Sequence, residues 1–527
     1  MNSTRRRLLA AAGATAAGAA AWMLWPRREP LPAAPPRLVL APDPMFPNPL
    51  LLPQDEGYFG IADVDGAVAL VGRPVTHEIV PGKPAAMLGY VLDRGEHSYV
   101  NPLLRAQKGA NLRVRYLNAL DETSIVHWHG LTNDTNNDGH PHYAVASGEI
   151  YDYQFTVANR AGTYWYHPHP HHLAGKQAYL GLAGLFIVED PEEIALSRAL
   201  DVTLGTTDVP LLIQDKRLRA DGSLDYKPGA QEHFHGFCGG SVLLNTTPSP
   251  CLDAEARLYR FRLVNGSNAR IYRLAFMDFD RALPFHVIGA DGGLLERPVP
   301  AQELFLAPAE RADVVLDLSA AALGSRVMLA SLPFDAMAFS SKAGAAAAQA
   351  DVPANGAPLD LMLIRVVSGP TSNGALPQTL SRVEPAAPGD AATRRFTLDQ
   401  AKGVWRINRG TYRMTETEFS VARGSREVWE FHNPHPAMPH PIHVHGFQYR
   451  MLERRGSPDH LARLAADDRG LPAAELGWKD SVLLWPGETL RMLIDFTHPF
   501  AGDQIYMLQC HNLEHETHGM MVNFRVA

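Results

Sequence analysis

The stretch "LQCHNLEHETHGM", Leu508–Met520, carries one thiol, three imidazoles and a thioether. These are the donors of a soft metal site, of the kind that takes copper or zinc. Three further clusters share the character: "HWHG" with His127 and His129, "YHPH" with His167 and His169, and "HPIHVHGF" with His440, His443 and His445. Alternate residues of a strand face the same side, so each His-x-His pair delivers two imidazoles to one place. Around Cys510 the same period separates two places. The thiol faces one side of its strand while Gln509 and His511 face the other, so a metal on Cys510 lies one residue from a second centre.

Cys510, His515 and His440 form a Cys/His/His set with Met520 available as a weak axial donor, the parts of a blue-copper electron-transfer site. A lone His-x-His pair is commonly structural, and a Cys/His cluster commonly holds zinc. Four clusters combined with a Cys-x4-His-x4-Met spacing point to copper. Gln509 is the irregular position, because the surrounding pattern leads one to expect a histidine there.

Such clusters need a strand-rich scaffold. At 527 residues, 46% of them hydrophobic, the chain is long enough for about three domains at roughly 150 residues each. Its 43 glycines and 41 prolines, with little helical periodicity, favour short strands joined by turns. Runs such as "NLRVRYLNAL", "IYDYQFTV", "LYRFRLVNGS" and "TLRMLIDF" read as strands. The expected architecture is all-β, three consecutive sandwiches over residues 36–195, 196–390 and 391–527, preceded by a leader at 1–35. A balance of 48 basic against 56 acidic residues, net −8, provides no basic stripe for nucleic acid.

In the leader, Arg5, Arg6 and Arg7 precede an apolar stretch from Leu8 to Trp25. This reads as an export signal of the twin-arginine kind, with a Sec signal or a retained anchor as alternatives. The expected location is the periplasm or another exported one, and the export machinery is an expected partner. In an oxidising compartment Cys238 and Cys251 are available to pair, leaving Cys510 for chemistry.

Over nearly the whole mature chain the sequence resembles the three-domain multicopper oxidases, the family of laccases, bilirubin oxidases and cuprous oxidases. Besides the four histidine motifs, "GLAGLFIVED", "LVNGSNAR", "APAERADVVLDLS", "WRINRGTYRM" and "GWKDSVLLWPGETL" carry the resemblance. It implies three cupredoxin-like Greek-key domains with the type 1 copper in the third. By motif position, His440, Cys510, His515 and Met520 would hold that copper, and His127 and His443 the type 2 copper. His129, His167 and His511 would hold one type 3 copper. His169 and His445 would hold the other, whose third ligand position falls on Gln509, a histidine in the family pattern. Either the Gln509 amide oxygen ligates loosely, or water or hydroxide completes that copper. Modest turnover is expected in both cases.

The resemblance further implies an oxidase that takes electrons singly from a reductant and passes them through Cys510 and His511 to a trinuclear cluster, where O2 becomes water. Glu516 and Asp138 occupy the places of the family's proton carriers. Phenolic, aromatic amine or metal-ion reductants are the expected substrates, and a monomer the expected state. The 15 methionines are dispersed, which weighs against dedicated cuprous oxidation. The competing reading is a copper-binding envelope protein, or a type 1 electron carrier with weak or no oxidase activity. Nine ligand histidines with Cys510 and Met520 weigh against it. His140, His142, His171, His172, His233, His235, His432, His435 and His518 read mostly as loop or supporting residues.

Overall fold

The computed structural model describes residues 37–337, 352–435 and 437–527. The leader, with its export signal, lies outside the described residues. Among the described residues no helix is long and apolar enough to cross a membrane.

Among the described residues the strands form six sheets, and each pair of them encloses a core of its own. In the first pair, Tyr116 and Val114 from the strand Asn111–Asn118 pack with Trp128, Tyr166 and Phe186 from the facing sheet. The second joins Val209, Phe261 and Val314 to Phe276, Leu329 and Leu361. The third joins Phe396, Trp429 and Met492 to Ile442, Leu508 and Phe524. Alternation explains the outer strands: Asn111–Asn118 reads "NLRVRYLN", with leucine, valine and tyrosine buried and the residues between them exposed along most of its length. Strands that carry the histidine clusters bury both faces, as in Gly162–Pro168 and His440–Val444.

Register does the positioning. Val126–His129 runs antiparallel to Gly162–Pro168, with His127 opposite His167 and His129 opposite Trp165. In the third sandwich, His440–Val444 lies between Ser481–Leu484 and Gln504–Cys510, pairing His443 with Ser481 on one side and with Gln509 on the other. Directly opposed side chains share a face, so His443 and Gln509 point the same way. The chain then turns into a short helix, Leu513–Thr517, capped by the Asn512 side chain. Gly519, at φ +89°, reverses it so that the Cys510 N–H donates to the Met520 carbonyl at 3.0 Å. That return brings the Met520 backbone against Cys510.

Cys238 and Cys251 do not pair: both are free thiols, as is Cys510. Cys251 packs with Phe46 and Leu363, whereas the Cys238 carbonyl accepts from Arg217. The two cysteines thus belong to separate packing groups.

Candidate metal centre

The Cys510 thiol lies 3.5 Å from the Nδ1 of His440 and 3.5 Å from the Nδ1 of His515. All three residues are buried. His515 donates its Nε2–H to the Phe234 carbonyl at 2.9 Å, which leaves the Nδ1 lone pair facing the sulfur. Burial pushes His515 down to about 3 and His440 well below the usual imidazole range, so both rings are neutral donors. Burial raises the Cys510 thiol, and a bound cation reverses that by favouring thiolate. Trp405 covers the pair, its ring 4.7 Å from that of His440 and 6.0 Å from that of His515.

On the other face of the strand the imidazoles converge. His129 Nδ1 and His511 Nε2 lie 3.2 and 3.3 Å from His167 Nε2. Five of the rings commit one nitrogen to an oxygen and turn the other away from it. His127 donates to the Asp138 carbonyl at 2.6 Å, His129 to the Asp480 carboxylate at 3.1 Å, and His167 to the Pro168 carbonyl at 3.1 Å. His443 donates to the Asp480 carbonyl at 2.8 Å and His445 to the Asp138 carboxylate at 2.7 Å. The Nε2 atoms of His127, His443 and His445 are buried with no hydrogen-bond partner. A buried polar atom without a partner is costly, and a cation shared among several such atoms removes the cost. Burial, and then mutual repulsion of the rings, holds His127, His129, His167, His443 and His445 well below the imidazole range. They present lone pairs instead of protons. The donor set therefore fits copper: a thiolate with two imidazoles on one face, and converging neutral imidazoles on the other.

Comparison with known proteins agrees. Two stretches, residues 95–193 and 385–527, match family models described as multicopper oxidase. The chain is 30% identical over 464 residues to a bilirubin oxidase of Albifimbria verrucaria, covering 86% of this chain and 75% of that protein. It is also 30% identical over 481 residues to a laccase of Bacillus subtilis (strain 168), covering 80% and 88%. The chain belongs to the multicopper oxidase family. The crystal structure of McoA multicopper oxidase from Aquifex aeolicus superposes with a TM-score of 0.81 at 38% identity, covering 91% of this chain and 99% of that one. The protein is accordingly a copper-dependent oxidase that uses O2 and a reductant, on a cupredoxin-like β-sandwich fold.

Within this oxidase Gln509 is buried, and its Oε1 lies 3.0 Å from His169 Nε2 while its Nε2 has no partner. The His169 ring is 5.1 Å from that of His445. Both candidate acids are buried. Asp138 lies behind the rings of His127 and His445; Glu516 reaches to 3.6 Å from His169 Nε2. Burial raises both, Glu516 well above the carboxylate range with a further push from Glu514. Among the supporting histidines, His140 donates to Asn523 at 2.9 Å, and His233 packs on His518.

Sequence reasoning missed Asp480. Its carboxylate is gripped by Arg311 through two bonds of 2.6 and 2.5 Å and also accepts from His129, while its carbonyl accepts from His443. Asp291 accepts from the backbone of Asp480 and Ser481 and pairs with Lys479 at 3.1 Å. Asp480 and Arg311 stand inside "GWKDSV" and "APAERADVV". Only the cross-domain fold brings them onto the histidines.

Proposed function

We propose that the protein is an exported oxidase that couples one-electron oxidation of phenolic, aromatic amine or metal-ion reductants to reduction of O2 to water. His440, Cys510 and His515, with Met520 axial, hold a type 1 copper in this reading. His127 and His443 hold a type 2 copper. His129, His167 and His511 hold one type 3 copper, and His169 and His445 hold the other, with Gln509 at its third position. Copper, when bound, supplies the redox chemistry. The chain supplies the rest: Asp138 and Asp480 fix ring orientation and tautomer, buried walls exclude bulk water, and Asp138 and Glu516 are the acids that hold protons beside the cluster.

One observation carries this reading. Cys510 and His511 are consecutive, and each belongs to a different group of converging donors. A single peptide linkage thus joins the place where an electron is accepted to the place where O2 is reduced. All the donors come from one chain, which supports a monomer, and the run Arg5–Arg7 before an apolar stretch supports twin-arginine export to the periplasm. Three domains with boundaries near 195 and 390 are consistent with the three cores.

Oxygen uptake by copper-loaded protein, with a phenol, an aromatic amine or cuprous ion in turn, tests the proposal. The expected result is four one-electron oxidations per O2 with no peroxide released. Peroxide as the product, or no uptake with any of the three donors, overturns it.

A further inference from the structure

The helix Leu513–Thr517 carries His515, yet its 5 residues are too few to hold themselves in place. Other parts of the chain hold it. The buried Glu514 side chain accepts three hydrogen bonds: Tyr226 O–H and Asn268 Nδ2–H donate to its Oε1 at 3.0 and 2.8 Å, and the Phe237 N–H donates to its Oε2 at 2.8 Å. Asn268 also donates to the Gly175 carbonyl at 3.1 Å, and its own carbonyl accepts from the Leu513 N–H at 3.0 Å. Segments of all three sandwiches therefore meet at one buried pair, Glu514 and Asn268.

The pair bears on His515 by two routes. Consecutive helical residues project about 100° apart, so fixing the face of Glu514 fixes the direction of His515. Tyr226 and Phe237 also bracket the helix Ala230–His235, and Glu514 binds that segment at both ends. Between them, the Phe234 carbonyl accepts from His515 Nε2–H and from Trp405 Nε1–H, each at 2.9 Å. Gly236, at φ +94°, ends the segment so close to the third sandwich that a Cβ there would lie 2.6 Å from Asn512 Nδ2. Metal donors have to be held to about 0.5 Å, and His515 Nδ1 stands 3.5 Å from the Cys510 thiol. We infer that Glu514, held by Asn268, Tyr226 and Phe237, is a positioning residue that sets His515 against Cys510 and so fixes the geometry of the copper bound there. The inference rests on the copper-oxidase reading.

Chelator competition, visible absorption and electron paramagnetic resonance test this on the copper-loaded full chain in Glu514→Ala, Glu514→Gln and Tyr226→Phe. Glu514→Ala is expected to hold the copper of the blue band about 10- to 100-fold less tightly, as loss of a ligand's support does, and to change the hyperfine splitting of that copper. Copper in the histidine group is expected to stay, because none of its assigned donors stands on the helix. Glu514→Gln keeps an Oε1 for Tyr226 and Asn268 but loses the acceptor for Phe237, so its changes should run the same way and be smaller. Tyr226→Phe removes one donor and should do likewise. Glu514→Ala with the blue band, splitting and copper retention of the wild-type protein overturns the inference and leaves Glu514 a support of folding alone. Where Glu514→Ala yields no folded protein, Glu514→Gln decides by the same measurements, and wild-type values there overturn the inference. A wild-type protein that is not blue overturns the underlying reading first.

Discussion

Asp138 shows how much one side chain does here. Its carboxylate receives His445 Nδ1 at 2.7 Å and its carbonyl receives His127 Nδ1 at 2.6 Å, so one residue fixes the tautomers of two rings assigned to different coppers. Gly139 makes this possible: at φ +87°, a Cβ there would lie 2.1 Å from the Val126 carbonyl. Asp138→Asn keeps an acceptor but loses the acid. It is expected to retain copper and slow O2 reduction by about 100-fold or more, as loss of a general acid does. Asp138→Ala also loses the acceptor, and copper affinity should fall about 10- to 100-fold. Chelator competition and oxygen uptake check the pair, and equal behaviour of the two variants counts against this division. The resemblance marked Asp138 by its motif position, but its double attachment was not legible because His445 lies 307 residues further along the chain.

Strands explain why the ligand pattern was readable. The period of two put His127 with His129, and Cys510 opposite Gln509 and His511, before any tertiary information. What the sequence lacked was the meeting of elements: the Ser481–Leu484 strand begins one residue after Asp480, whose side chain crosses to Arg311 and His129. Asp480→Asn is expected to weaken copper retention by the cluster about 10- to 100-fold, because the partner of a ligand is altered. The blue band should persist, since Cys510, His440 and His515 make no contact with Asp480 in the described bonds. Loss of blue absorption with retention of the cluster copper would contradict this. Whether Cys238 and Cys251 pair was open in the sequence for a related reason; they do not, because cysteines close in sequence entered different packing groups.

Across the molecule, the first and second sandwiches share a buried ionic network. Glu193 is bonded to Arg260 and Arg262, Arg262 to Asp208, Arg260 to Asp313, and Thr163 donates to Asp313 at 2.9 Å. Burial alone would raise Glu193, but the two guanidiniums outweigh it and hold the carboxyl at about 2, below its ordinary 4.5. The unfolded chain binds this proton at higher pH than the folded one. The contribution is therefore complete above about 4.5 and lost as pH falls toward about 2. Glu193→Gln should cost about 3–5 kcal/mol at neutral pH, the usual effect of breaking a buried ion pair, and should flatten the acid limb of the stability curve. Denaturant unfolding at several pH values checks this, and an unchanged acid limb contradicts it. Three cores were legible from strand alternation and length; this junction was not, since alternation does not report which charges meet. The central claim is that one thiolate gives both the type 1 colour and the link to the O2-reducing group. The measurement that tests it most directly is the visible spectrum and oxygen uptake of copper-loaded Cys510→Ser beside the unaltered protein. The account predicts a blue, oxygen-consuming protein and a variant that loses both properties together; a blue Cys510→Ser protein, or one that still consumes oxygen at the original rate, would contradict it.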